Sequence, residues 1–275
     1  EFVGARVADR NGAGIRFEGK NLEIRHSIFR GNENGLLATG SGDGRILVEH
    51  CEFADNGNGD GLSHNMYVGR AKTFILQFSF VHGAIDGHNV KSRARNTFVY
   101  YNRISDGYTG RTGYAIDLAD AGNAVILGNL FQKSRLSLNP VFVAYGLESQ
   151  RDPMDSLHIV NNTVVNDGLF IGRFVVGRKK GDRSRMVNNL FLGRISPQPT
   201  RMGLHNVNLS GVTPEEFART GYRPRKRSAA DSAGTVAGAF DGMPLSPRWE
   251  YAPIASKRPR IVRTPLDIGA FAVID

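Results

Sequence analysis

The sequence predicts an all-β chain, a right-handed parallel β-helix, on three observations. A short apolar phrase recurs as Ser27-Ile28-Phe29, Cys51-Glu52-Phe53, Phe78-Ser79-Phe80, Asn102-Arg103-Ile104, Asn129-Leu130-Phe131, Asn162-Thr163-Val164 and Asn189-Leu190-Phe191. Its last residues lie 24, 27, 24, 27, 33 and 27 positions apart, and self-similarity at such a period marks a solenoid. Each phrase is preceded by short alternating apolar runs, with no helical period anywhere in the region. The third observation is the supply of turn residues: 33 glycines, spread along the chain and joined by Asn and Asp between the runs. A unit this short cannot bury an apolar face alone, whereas stacked coils pair strand on strand and fill a continuous core. A leucine-rich repeat would need Leu-x-x-Leu-x-Leu, which is missing, and a propeller would need about 40 residues per blade.

Each coil reads as a first strand, a second strand and the closing phrase. The first strands are Gly14-Ile15-Arg16-Phe17, Gly35-Leu36-Leu37-Ala38, Asn65-Met66-Tyr67-Val68, Asn89-Val90-Lys91-Ser92, Ala115-Ile116-Asp117-Leu118 and Val141-Phe142-Val143-Ala144. The second strands are Leu22-Glu23-Ile24, Ile46-Leu47-Val48, Phe74-Ile75-Leu76, Phe98-Val99-Tyr100, Val125-Ile126-Leu127 and His158-Ile159-Val160. Asn102, Asn129, Asn162 and Asn189 recur at one turn and can pass amide hydrogen bonds from coil to coil. This places about seven or more coils over residues 1–194. After Phe191 the repeat dissolves, and 195–275 read as an irregular tail that packs on the coils and is not an independent domain. One short helix is expected over Thr213–Arg219, with Thr213 as N-cap and Pro214 at the first helical position.

Composition narrows the function classes. Lys and Arg total 35 against 26 Asp and Glu, a formal charge of +9, which favours a polyanionic partner. No run approaches 18 apolar residues, so no membrane-spanning helix is expected. The single Cys51 excludes an internal disulfide. The opening Glu1–Arg6 has no basic segment leading into an apolar one. An exported location, secreted or periplasmic, therefore implies a signal peptide outside this sequence. Nucleic-acid binding has no motif behind it, since the basic residues gather in Arg178-Lys179-Lys180, Arg223–Arg227 and Lys257–Arg260. These clusters are read as solvated charge or polyanion contacts, and the protein as a monomer.

Three successive coils carry the chemistry. Strand alternation turns Met66, Val68, Val90, Ser92, Ile116 and Leu118 inward. Asn65, Tyr67, Asn89, Lys91, Arg93 and Asp117 then face outward, with His64 and His88 stacked at the strand entrance. Tyr145 and Glu148 extend the strip on the next coil. His26, His50, His82, His158 and His205 have no metal-ligand spacing and are read as structural. An elongated polar strip suits an extended polymer. Eliminating a uronate polymer needs a base for the proton at C5, cations for the carboxylate and an acid for the leaving oxygen. Lys91, its pKa lowered by neighbouring cations, is the expected base and His88 its rival. Arg93 or Arg95, with Asn65, would hold the carboxylate, and Tyr67 or His64 would donate the proton.

The coil pattern, the Asn turns and the closing Asp267-Ile268-Gly269-Ala270-Phe271 resemble bacterial right-handed β-helix proteins of the pectate-lyase-like superfamily. Lys91-Ser92 is similar to the Lys-Ser motif of the β-helical alginate and dermatan lyases, which implies Lys91 as base. Those enzymes carry an acidic-role Arg on the next coil, where this chain has Tyr114, Asp117 and Asp120. The resemblance implies a lyase acting on an acidic polysaccharide. A C5-epimerase shares the first step, a glycoside hydrolase would need clustered carboxylates, and a non-catalytic polysaccharide-binding surface protein would need none of this chemistry. A Ca²⁺ ion is weighed at Asp117 and Asp120, with Asp86 and Glu148 as further oxygens.

Overall fold

The computed structural model describes residues 1–149, 155–177, 184–196, 203–204, 206–209 and 221–273. Three parallel sheets run the length of the solenoid, each built from one strand per coil, and no helix occurs among the described residues. The first sheet contains Met66–Val68, Val90–Ser92, Ile116–Leu118 and Val141–Tyr145. The second contains Thr73–Gln77, Asn96–Tyr100 and Asn123–Leu127, and the third Phe80–His82, Arg103–Ser105 and Leu130–Lys133. The expected helix over Thr213–Arg219, the Arg178-Lys179-Lys180 cluster and His205 lie outside the described residues.

The core is a set of columns, because equivalent inward residues stack from coil to coil. In the third sheet Phe29, Phe53, Val81, Ile104, Phe131, Val164 and Phe191 align in register and are buried. The recurring phrase therefore misplaces one residue: Val81 fills the core column, and Phe80 points outward beside Arg103. At the corner between the second and third sheets, His26, His50, Phe78, Tyr101, Asn161 and Asn188 all adopt positive φ between 48° and 58°. His26, His50, Phe78 and Tyr101 stack ring on ring there. Just beyond, the Asn102, Asn129, Asn162 and Asn189 amides bond in series, each Nδ2 donating to the next Oδ1, ending at Asn206.

The tail covers two of the three outward faces. Tyr222, Ala230, Tyr251, Ile268, Ala270 and Phe271 pack on Leu130, Val165, Leu190 and Leu192 of the third sheet. Ala237 and Leu245 pack with Val125, Leu127, Val160 and Val187, on and beside the second sheet. Its basic clusters serve this docking in part. Arg223 pairs with Glu250, Arg260 is buried and donates to the carbonyls of Asp267 and Gly269, and the Lys257 ammonium lies 4.3 Å from the Phe78 ring centre. These side chains are structural, which corrects their reading as solvated charge or polyanion contacts.

Candidate functional site

The outward face of the first sheet over its central coils, by contrast, carries charge. Lys91 pairs in register with Tyr67 on one side and Asp117 on the other. The Lys91 ammonium lies 3.2 Å from Asp117 Oδ2 and also contacts Glu148 Oε1. Arg93 reaches back over the same row: Nε donates to Tyr67 Oη at 3.0 Å, Nη1 to Asp120 Oδ1 at 2.5 Å and Nη2 to Glu148 Oε2. Ser149 Oγ donates to Asp120 at 2.9 Å. Glu148 thus bridges Lys91 and Arg93, and its side chain is 45 % exposed while that of Asp117 is 4 % exposed.

A column of rings flanks this cluster. His64 and His88 stack with centroids 5.0 Å apart, and Tyr114 stacks on His88 at 4.7 Å. His64 Nδ1 accepts the His88 backbone N–H, and His88 Nδ1 accepts that of Tyr114, both at 3.0 Å. Each imidazole therefore carries its proton on Nε2, and His88 Nε2 lies 3.6 Å from Asp117 Oδ2. Burial, with Lys91 nearby, pushes His64 down to about 3 and His88 down to about 4.

The environments of the acids differ. Burial holds the Asp117 carboxyl above its usual range, with Lys91 opposing the shift. Burial also acts on Glu148, but hydrogen bonds from Lys91 and Arg93 outweigh it and hold that carboxyl low. For Lys91, burial disfavours the charge, and Glu148 and Asp117 more than offset it, so its pKa is raised. This corrects the expectation of a depressed Lys91: in this arrangement it is an ammonium ion and no base. His88 fails as the rival base, because Nδ1 is engaged and Nε2 bears the proton.

Four further expectations are corrected. Asn65 and Asn89 are fully buried in a second amide ladder: Asn56 Nδ2 donates to Asn65 Oδ1, Asn65 Nδ2 to Asn89 Oδ1, and Asn89 Nδ2 to the Ser105 carbonyl. They sit at the corner before the strand, where alternation does not apply. Tyr145 points inward opposite Leu118 and donates to the Gly122 carbonyl at 2.7 Å. Arg95 binds the buried Asp155 at 2.8 Å, off the strip. Tyr67, Lys91, Arg93, Asp117, Asp120, Glu148, His64, His88 and Tyr114 do come together.

The structure adds two residues outside the expected set. One is Asp155, the partner of Arg95. The other is Lys133, fully buried, which donates to the Gly113 carbonyl at 2.8 Å behind Tyr114. Strand alternation does flag Lys133, which lies two positions after the inward Phe131 and so turns inward, but not Asp155, which lies outside the strands. The calcium reading does not fit this donor set. Asp117 faces Lys91 and Asp120 faces Arg93, so a cation between them would meet two cations. Among the described residues no group of three His, Cys, Asp or Glu side chains has metal-site geometry.

The strip opens beside Tyr67 onto a cavity of about 350 Å³ that reaches Asn11, Leu37 and Asp60 on the earlier coils. A larger cavity, about 750 Å³, lies on the third sheet, away from this cluster. Fold and site together define a β-solenoid that presents an ionic cluster along one sheet face, continuous with a cleft. Residues 13–191 match the family described as right-handed beta helix region, and the chain belongs to that family. No curated protein and no solved structure matches the chain. The fold is one shared by polysaccharide lyases, hydrolases and other proteins, so activity has to be argued from the site.

Proposed function

We propose that the protein is an exported polysaccharide lyase that cleaves a uronate-containing polymer on the first-sheet strip. The carrying observation is that Lys91 and Arg93 close together on one carboxylate, that of the exposed, loop-borne Glu148. A uronate carboxylate entering from the cleft can replace it between the same two cations. That pairing neutralises the acid group and makes the adjacent C5 proton removable. Tyr67 Oη, which accepts from Arg93 Nε, is the base of this reading: its phenolic proton passes to solvent as substrate binds, and the oxygen then takes the C5 proton. The C5–H electron pair becomes the C4=C5 double bond, the C4–O bond breaks, and the leaving oxygen takes a proton. Solvent supplies that proton, while Asp117, whose carboxyl burial raises against the pull of Lys91, keeps its pairing with the Lys91 ammonium. Lys91 therefore moves from base to carboxylate binder, and Tyr67 from donor to base.

Hydrolysis is the second reading, favoured by the opposed shifts of Asp117 and Glu148, both in contact with Lys91. Carboxyls pushed apart in this way serve glycosidases as acid and as base or nucleophile. The deciding experiment incubates the protein with polygalacturonate, alginate and acidic bacterial exopolysaccharides. It follows the ultraviolet absorbance of unsaturated uronate together with reducing-end release. Absorbance rising with reducing ends supports elimination. Reducing ends without absorbance sink it in favour of hydrolysis, and neither signal leaves a binding protein.

A further inference from the structure

The third sheet changes character along its length. Where the tail covers it, the outward residues are Leu130, Val165, Leu190 and Leu192. Beside Tyr222 they are Phe80, which also packs against the tail, His82, Arg103, Ser105 and Gln132. This stretch floors the 750 Å³ groove, a volume in the range of small-ligand sites. Its floor is built, not incidental. The His82 ring stacks on Phe80 at 4.0 Å, and the Arg103 guanidinium lies 5.1 Å from the centre of the same ring. Arg103 Nη2 donates to Gln132 Oε1 at 3.0 Å, and Gln132 Nε2 donates to Asp167 and to Tyr222 Oη, each at 2.9 Å.

Two features identify the occupant. Tyr108, on the groove's loop wall, is 98 % exposed. A fully exposed ring offers a flat apolar face, which matches the C–H face of a pyranose. The groove's arginines are also unlike those of the strip. Arg93 and Arg95 each pair with a carboxylate, whereas among the described residues neither Arg103 nor Arg135 has one within salt-bridge distance. Their charge is left for a ligand, and a planar guanidinium suits a carboxylate or sulfate.

We infer that this groove is a second glycan-binding site, separate from the strip, that takes a sugar unit carrying a carboxylate or sulfate group. Tyr108 stacks the ring while Arg103 and Arg135 take the anion. The test is titration calorimetry with uronate tetrasaccharides, sulfated tetrasaccharides and uncharged cellotetraose. It uses the whole chain carrying Tyr67→Phe and Arg93→Gln, so that a substrate is neither consumed nor held between the two cations of the strip. The exposed positions Tyr108→Ala and Arg135→Gln are then changed in turn. Binding of one anionic set, with cellotetraose at least about tenfold weaker and each groove variant about tenfold weaker, is expected. Which set binds decides between carboxylate and sulfate. Binding of none, equal binding of cellotetraose, or groove variants within about twofold of the parent overturns the assignment. Because turnover at the strip is read separately, either proposal can fail alone.

Discussion

His88 Nδ1 accepts the backbone N–H of Tyr114 at 3.0 Å, and this one contact decides what His88 can do. The ring is a fixed Nε2–H tautomer one coil below a stacked tyrosine, and it gives a proton or none. Burial and the neighbouring Lys91 bring it down to about 4, and His64 to about 3. Protonating either ring at Nδ1 would break a backbone hydrogen bond.

A pH dependence of stability follows. In the unfolded chain both histidines protonate near 6.5, while in the folded chain they stay neutral until about 4 and about 3. The unfolded state therefore binds more protons as pH falls below 6.5, and their contribution to stability, full above that value, is lost on the way down. His88 alone accounts for about 3 kcal/mol of loss by pH 4. Urea melts between pH 7 and 4 should show the fall, and His88→Gln should flatten it. Assigned His64 or His88 NMR signals that titrate near 6.5 in the folded protein would contradict the burial argument.

Lys91→Met should destabilise the fold as well as silence the strip. It leaves Asp117, with 4 % of its side chain exposed, without its ammonium partner, and breaking one side of a buried pair costs about 3–5 kcal/mol. Adding Asp117→Asn should recover part of that cost, since the orphaned charge is then gone. A double variant that melts no later than Lys91→Met would show that the two residues are not coupled.

Glu148→Gln separates the two chemistries. If Glu148 only occupies the place of a substrate carboxylate, its loss leaves kcat within about threefold and lowers KM, because substrate no longer displaces an ion pair. If Glu148 is the base or nucleophile of a hydrolase, kcat falls by a factor of about 100 or more. Initial rates across a substrate concentration series give both quantities.

Most of the architecture was readable because it depends on alternation. Met66, Val90 and Ile116 had to point inward once the repeat was found, and Tyr67, Lys91 and Asp117 had to align outward. Alternation fails at corners, so Asn65 and Asn89 form a buried amide ladder, whereas Tyr145 obeys it, two positions after the inward Val143 and in register with Leu118. It also carries no electrostatics. The inversion of Lys91 from depressed to raised depends on Glu148, 57 residues away in sequence and brought over by a loop. The third-sheet groove has its own signal in the sequence. Arg103, Ser105 and Gln132 are polar at outward positions where later coils carry Val165, Leu190 and Leu192. Phe80, outward beside Arg103 and stacked on His82, is its floor.

The Asn102–Asn189 series should matter more to stability than any one strip residue. Asn129 Nδ2 donates to the Val99 carbonyl and to Asn162 Oδ1, and Asn129 Oδ1 accepts both the backbone N–H and the Nδ2 of Asn102. All of these groups are buried, so Asn129→Ala strands partners on two coils, each at about 1–3 kcal/mol. The expected loss is roughly 4 kcal/mol or more, near the upper end for a single substitution. Asn129→Asp is the sharper variant. It keeps both acceptor contacts to Asn102 but turns the two donor contacts into oxygen facing oxygen unless it is protonated. Its deficit should therefore shrink as pH falls below the carboxylate range, opposite to the trend set by His88. Chemical denaturation at pH 7 and at pH 4 checks both the size and the crossing of the trends, and an Asn129→Ala loss below about 1 kcal/mol would mean that the ladder is decorative.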